Sequence, residues 1–196
     1  MLQTKELILA SGSPRRKELL ELIGIHPIVR KSDVTEKITR EEPGQIVMEL
    51  SHQKADDVAA GVKDGIVLGA DTIVYAQGQI LGKPRDRADG FRMLRMLSGK
   101  VHSVFTGVTI IQKDQDRGTV CVKNFYRETK VHVHSMTDAE INAYLDTGDP
   151  FDKAGAYGIQ GPFAAFVDGV EGDYQTVVGL PVCAVYQALK ELKADA

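Results

Sequence analysis

The run Leu9-Ala10-Ser11-Gly12-Ser13-Pro14-Arg15-Arg16 decides how this chain is read: a strand stops, turns on small residues and enters a helix. Lys5 to Ala10 alternates and then becomes wholly apolar, the pattern of a buried strand. Ser13 is positioned to cap the helix, and Pro14 suits its first position, where a missing N–H costs nothing. The open N–H groups of the first turn, the positive end of the helix dipole, Arg15 and Arg16 then converge on one spot. Such a spot receives phosphate. An ordinary capped helix with two solvated arginines uses the same letters, so the remainder of the chain has to decide between the two.

Working outward, the helix carries Leu19, Leu20 and Ile23 on one face and stops at Gly24. His26 to Arg30 reads as a short second strand, and Ser32 to Glu42 as a charged loop with Glu36 at its middle. Pro43 opens a helix with the stripe Ile46, Val47, Leu50 and Val58. Lys54 lies on or beside that stripe, so it either snorkels to water or is aimed at something negative. Gly65 to Ala70 and Ile73 to Tyr75 are apolar strand segments on either side of Asp71-Thr72. Carboxylates are rarely buried without partners, so Asp71 is either a hydrogen-bonded strand break or a working group. Ala76-Gln77-Gly78-Gln79 turns a hairpin that returns as Ile80-Leu81 to Lys83 and, if it closes tightly, brings Lys83 near Asp71.

Further on, Asp86 caps a helix ending at Ser98-Gly99, and Val101–Ile111 with Thr119–His134 forms a long antiparallel ribbon. Thr137-Asp138-Ala139-Glu140 is a capping box whose helix ends at Gly148-Asp149-Pro150. The glycine-punctuated loop 152–161 leads to a strand at Ala164–Val167, and Pro181 opens the last helix. His102, His132 and His134 have no zinc spacing and read as strand-surface residues. This order of strands and helices predicts an α/β domain with a mixed sheet.

A chain of 196 residues with 43% hydrophobic and 26% charged content can bury a substantial core. Its net charge of -3 argues against broad nucleic-acid or acidic-membrane binding, so any anion site must be a local gathering of positive groups. Cys121 and Cys183 read as small buried hydrophobes in a reducing compartment. No window approaches the roughly 20 apolar residues of a membrane span, and no basic leader precedes an apolar run. The expected setting is the cytoplasm.

Cationic groups near the first helix, at Lys54 and at Lys83 suit a polyphosphate. Carboxylates at Asp71 and Glu36 suit a hard cation such as Mg2+, which takes oxygen ligands and bridges phosphates. A carboxylate can also orient and deprotonate water. Together these describe metal-assisted attack of water on a phosphoric anhydride. A P-loop, a G-x-S-x-G elbow and a paired Cys-x-x-Cys are all missing, which removes P-loop NTPases, triad hydrolases and thiolate zinc or redox sites.

Six runs, spread in order over nearly the whole chain, carry a family resemblance: residues 9–16, Gly69-Ala70-Asp71-Thr72, Leu81-Gly82-Lys83-Pro84, Thr106-Gly107-Val108, residues 152–161 and Val177-Val178-Gly179-Leu180-Pro181. On these the sequence closely resembles the Maf family of nucleoside-triphosphate pyrophosphatases, in particular its dTTP/UTP branch. It departs from the family pattern at Asp33-Val34-Thr35 and Ser51-His52-Gln53.

The resemblance implies one domain over residues 1–196, with a mixed twisted sheet and two lobes around a central cleft, similar to inosine-triphosphate pyrophosphatases. It implies hydrolysis of dTTP, UTP or other pyrimidine triphosphates, modified ones included, to the monophosphate and pyrophosphate. Mg2+ or Mn2+ is the implied cofactor, and a homodimer the implied assembly.

By the match, Asp71 is the proton acceptor, while Arg15, Thr72 and Gln160 set substrate choice. Ser11, Gly12, Arg16, Lys54 and Lys83 line the phosphate region, and Asp71 with Glu36 holds the metal. Uracil and thymine both offer an O4 acceptor beside an N3–H donor, which one glutamine amide satisfies. A nucleotide-binding regulator of cell division that acts without turnover is the alternative. These expectations require Arg15, Asp71 and Gln160 to look into one hollow.

Overall fold

The computed structural model describes residues 5–194. Its strands are β1 (Leu7–Leu9), β2 (Ile28–Val29), β3 (Gly65–Ala76), β4 (Gln79–Leu81), β5 (Val101–Asp114), β6 (Gly118–Val133) and β7 (Val167–Glu171). The helices are α1 (Pro14–Leu22), α2 (Pro43–Ala59), α3 (Arg87–Leu97), α4 (Asp138–Asp146), α5 (Tyr174–Val178) and α6 (Val182–Ala194). The strands hydrogen-bond in the order β2-β1-β3-β5-β6-β7, with β4 also on β3. β1 runs parallel to both β2 and β3, whereas β3–β4 and β6–β7 are antiparallel, so the sheet is mixed as expected.

Two compact units divide the chain. The first holds residues up to Asp71, Thr106–Arg127 and those from Gly179 onward; the second holds Thr72–Phe105 and Glu128–Val178. In the first, α2 lies on the sheet through a cluster of Ile8, Ala10, Ala55, Val58, Ala59, Val62, Val67 and Ile111. The helix can come this close because two strand positions lack a side chain. A Cβ on Gly69 would collide with the Ser51 carbonyl and lie 2.8 Å from the Ala55 nitrogen; one on Gly107 would collide with the Val47 carbonyl. The buried hydroxyls of Ser51 and Thr109 meet at 2.9 Å across this contact.

The second unit contains the Thr137–Glu140 capping box and the Asp86 cap on α3, both as expected. Its core is aromatic: Tyr157 and Phe163 rings lie 4.6 Å apart, Tyr144 and Phe163 5.2 Å, and His102 and Tyr157 5.3 Å.

Four sequence expectations need correction. β3 runs unbroken through Asp71-Thr72, because Asp71 finds a side-chain partner and the strand need not open for it. A 3-10 turn, Pro162–Phe166, stands where a strand was expected, and β7 begins only at Val167, since buried Phe163 packs into the aromatic core. Cys121 is half-buried and Cys183 exposed, the latter because it falls off the Val182–Val185–Leu189 face of α6. His102 is buried rather than on the strand surface. Its Nε2 meets the Tyr157 hydroxyl at 2.7 Å, and its Nδ1 has no partner among the described residues.

Burial lowers the His102 pKa from 6.5 to about 4. The unfolded chain takes up a proton as pH falls below 6.5, while the folded chain does not until about 4. Stability contributed by neutral His102 is therefore complete above 6.5 and is lost progressively down to about 4. His102→Gln should flatten the pH dependence of urea-unfolding free energy over that interval by on the order of 3 kcal/mol. Equal slopes in the two chains would refute this.

Candidate functional site

In the first unit β1 delivers the chain to Ser11, which is buried, and the small-residue turn leads into α1 with Pro14 at its first position. Ser13 occupies the N-cap position with extended backbone, but its side chain makes no cap bond, contrary to expectation. The Ser11 hydroxyl does the local work instead, accepting from the Ser13 N–H at 3.3 Å and from Arg16 Nη1 at 2.9 Å. Arg16 Nε donates to the Gly179 carbonyl at 2.9 Å. Arg16 is thus folded back as a strut on the turn rather than left as a loose cation. Removal from water lowers its pKa; the charges of Asp71 and Glu36 act to raise it, and Arg15 adds to the lowering. Those four charged groups share one electrostatic environment.

Lys54 is aimed and does not snorkel. Its Nζ lies 2.5 Å from Asp71 Oδ1 and 2.9 Å from Glu36 Oε1, bridging the two carboxylates. Asp71 has a side chain 13% exposed against 46% for Glu36, so one carboxylate of the pair is sheltered and the other faces water. The close seating of α2 on Gly69 makes this reach possible, because Asp71 is on the same face of β3 two residues further on.

The loop carrying Glu36 is fastened along α2 by three side chains spaced four apart. Gln53 accepts from the Lys37 N–H at 2.9 Å and donates to the Lys37 carbonyl at 2.6 Å. Glu49 accepts from the Thr39 hydroxyl at 2.5 Å and N–H at 2.9 Å, bonds that hold its carboxyl below the usual range. Asp57 accepts from the Ser32 hydroxyl at 2.7 Å and the Asp33 N–H at 3.2 Å. Gly12 is exposed, with the Lys31 stem 3.6 Å from where its Cβ would be. Arg15 is half-buried. Ser11, Arg15, Arg16, Glu36, Lys54 and Asp71 all belong to the first unit.

Thr72, Lys83 and Gln160 belong to the second. Thr72 is half-buried on β3, and the Val74↔Leu81 register of the hairpin carries the exposed Lys83 back toward Thr72. The Gly155 N–H donates to the Gly82 carbonyl at 3.0 Å, tying the glycine-rich loop to the segment that bears Lys83. Within that loop a turn closes through Gly161 N–H to Gly158 carbonyl at 3.1 Å, with Ile159 buried and Gln160 exposed at its tip. Ala156 holds a left-handed φ of 60°, a strained value for a side-chain-bearing residue.

A family model described as Maf-like protein matches residues 6–192. This chain belongs to the Maf family. It is 51% identical over 203 residues to the dTTP/UTP pyrophosphatase of Agathobacter rectalis, covering 97% of this chain and 98% of that one. It is 50% identical over 192 residues to the dTTP/UTP pyrophosphatase of Bacillus cereus, covering 97% and 92% respectively. Among solved structures the Staphylococcus aureus Ham1 protein matches with a TM-score of 0.43 and 14% identity, over 66% of this chain and 72% of that chain.

Among the described residues no three or more His, Cys, Asp or Glu side chains gather as a metal cage. Asp71 and Glu36 nonetheless present hard oxygen donors to one cation, Lys54. Such a donor set fits Mg2+ or Mn2+, since Mg2+ commonly uses one or two carboxylates and completes its shell with phosphate and water. The Maf sequence pattern did not point to Lys31, Gln53, Glu49 or Asp57. The i, i+4 spacing of the last three on one helix face was the available signal.

If the Lys54–Asp71 pair holds the strand and helix together, the double-mutant cycle Lys54→Met with Asp71→Asn should give a coupling of about 1–2 kcal/mol in urea unfolding. A coupling near zero would mean that the sheltered pair adds nothing to stability.

Proposed function

We propose that this chain is a nucleoside-triphosphate pyrophosphatase that hydrolyses dTTP and UTP, and other or modified pyrimidine triphosphates, to the monophosphate and pyrophosphate. The observation that carries this reading is the near full-length, 51% identity to a relative named for that activity. The chemistry of the first unit supports it.

Asp71 is the proposed proton acceptor: its carboxylate is sheltered, held by Lys54 and set among Arg16, Arg15 and Glu36. An attacking water gives its proton to Asp71 as it adds to phosphorus, and the anhydride bond opens to release pyrophosphate. Arg15, the Ser11-Gly12 turn braced by Arg16, Lys54 and Lys83 offset the charge of the phosphates. Asp71 and Glu36 would hold a divalent cation, which when bound supplies charge neutralisation and polarises phosphate oxygens. Lys54, paired with both carboxylates, would offer its charge to the phosphates beside that cation.

Gln160, with Arg15 and Thr72, is proposed to select the base through the O4 and N3–H edge shared by uracil and thymine. All of residues 1–196 act as one functional domain in this reading. A cytoplasmic homodimer is proposed on the family resemblance, and no nucleic-acid partner on the net charge of -3.

Asp71→Asn should lower UTP and dTTP turnover by roughly 10²–10⁴-fold, read as pyrophosphate release with Mg2+ or Mn2+, while the unfolding midpoint stays high. Nucleotide binding by the wild-type chain without any product would return the regulator reading. Gln160→Ala should reduce kcat/KM for UTP by about tenfold and leave that for ATP nearly unchanged. Equal losses on all bases would remove Gln160 from recognition.

A further inference from the structure

Gln160 stands at the tip of a turn, and the second unit contains an unusual support beneath that turn. Tyr144, buried on α4, donates its hydroxyl to Asp149 Oδ2 at 2.6 Å and accepts from the Gly158 N–H at 3.2 Å. Lys153 Nζ in turn grips the same Asp149, at 2.6 Å from its carbonyl and 3.0 Å from Oδ1, and reaches Asp152 Oδ1 at 2.7 Å. The two glycines that bracket the turn are moulded onto this group. A Cβ on Gly158 would lie 2.7 Å from Lys153 Cε, and one on Gly161 3.1 Å from Asp149 Oδ2. Buried Ile159 pins the turn from inside. One carboxylate thus receives a phenol and an ammonium; Gly158 is held through Tyr144 and packs on Lys153, while Gly161 packs on the carboxylate itself.

We infer that Tyr144, Asp149 and Lys153 are positioning residues for base selection: they fix where the turn presents Gln160, and so set the reach of its amide. This rests on the proposed role of Gln160. The chemistry requires such support. A primary amide offers a donor and an acceptor, and by turning over it can match the edge of any nucleobase. The amide alone therefore discriminates poorly, and preference depends on the distance at which it is held. A turn free to shift would admit cytosine or a larger purine; a turn seated on a charged, partly buried cluster does not drift. The phenol is a donor at neutral pH in any case, and burial, then its bond to Asp149, raises its pKa further.

The test is a kinetic cycle on the full chain with UTP, CTP and ATP. It compares wild type, Tyr144→Phe, Gln160→Ala and the double variant, each checked for an unaltered far-UV spectrum and unfolding midpoint. Tyr144→Phe removes only the hydroxyl and should lower the kcat/KM preference for UTP over CTP and ATP roughly fivefold, chiefly through the KM for UTP. In the Gln160→Ala background the same change should leave the preference where it was. Asp149→Asn, which keeps an acceptor for Tyr144 but loses charge toward Lys153, should move the preference in the same direction by a smaller factor.

A uniform loss on all three nucleotides, or the same shift in both backgrounds, would overturn the inference. If Gln160→Ala shifts preference and neither Tyr144→Phe nor Asp149→Asn does, the support role alone fails. If Gln160→Ala shifts nothing, the reading of Gln160 fails and this inference with it.

Discussion

The first unit depends on how closely α2 can approach the sheet. Backbone meets backbone at Gly69 and Gly107, where even a methyl group would collide with the carbonyls of Ser51 and Val47. Overpacking of this kind costs about 1–3 kcal/mol when the chain can shift, and the shift would separate the groups that matter. Lys54 is one residue from Ala55, the residue whose nitrogen crowds Gly69, and its ammonium has only a short span to Asp71. A helix seated further out would leave the lysine pointing to water. The hydrophobic cluster beneath α2 supplies the attraction, and the two glycines decide how far it proceeds.

Charge follows from that seating. Lys54 touches two carboxylates of different character, and magnitudes distinguish them. The pair with Glu36, a side chain 46% exposed, contributes about 0–1 kcal/mol, as exposed ion pairs do. Asp71 is more sheltered, and loss of its counter-charge would leave a carboxylate with little water to compensate. Glu36 is consequently placed by other means, through the bonds from Gln53, Glu49 and Asp57 to the loop backbone. The departure at Ser51-His52-Gln53 gains a physical meaning here: Ser51 bonds Thr109 beneath the helix and Gln53 clamps the Glu36 loop from outside.

Much of this was legible in the letters. Period-two and helical stripes located the main elements, and Thr137–Glu140 and Asp86 announced their helices, because caps and stripes act over a few residues. The family likeness assigned Arg16, Asp71, Glu36 and Lys54 to one region, and the structure sets Lys54 between Asp71 and Glu36. What escaped was decided by side-chain partners that no stripe or cap motif announces. Ser13 looked like a cap, yet its side chain makes no cap bond, and the Ser11 hydroxyl holds the turn by accepting from the Ser13 N–H and from Arg16. Asp71 looked like a strand break until a lysine from another element met it. His102 read as surface because alternation cannot reveal that the aromatic loop folds over it. Tyr144 and Asp149 read as stripe and helix stop, and neither role announces the hydrogen bond between them.

The bond from Arg16 to the Gly179 carbonyl spans 163 positions of sequence. A ribosome releases the arginine long before its acceptor exists, so the N-terminal turn emerges without the brace that shapes it. The first unit must likewise wait for Thr106–Arg127 and for α6, which follows Gly179 in the chain. The Ser11–Arg16 turn therefore matures only after Gly179 has been made, and a nascent chain stalled before that residue carries the turn in an unassembled state.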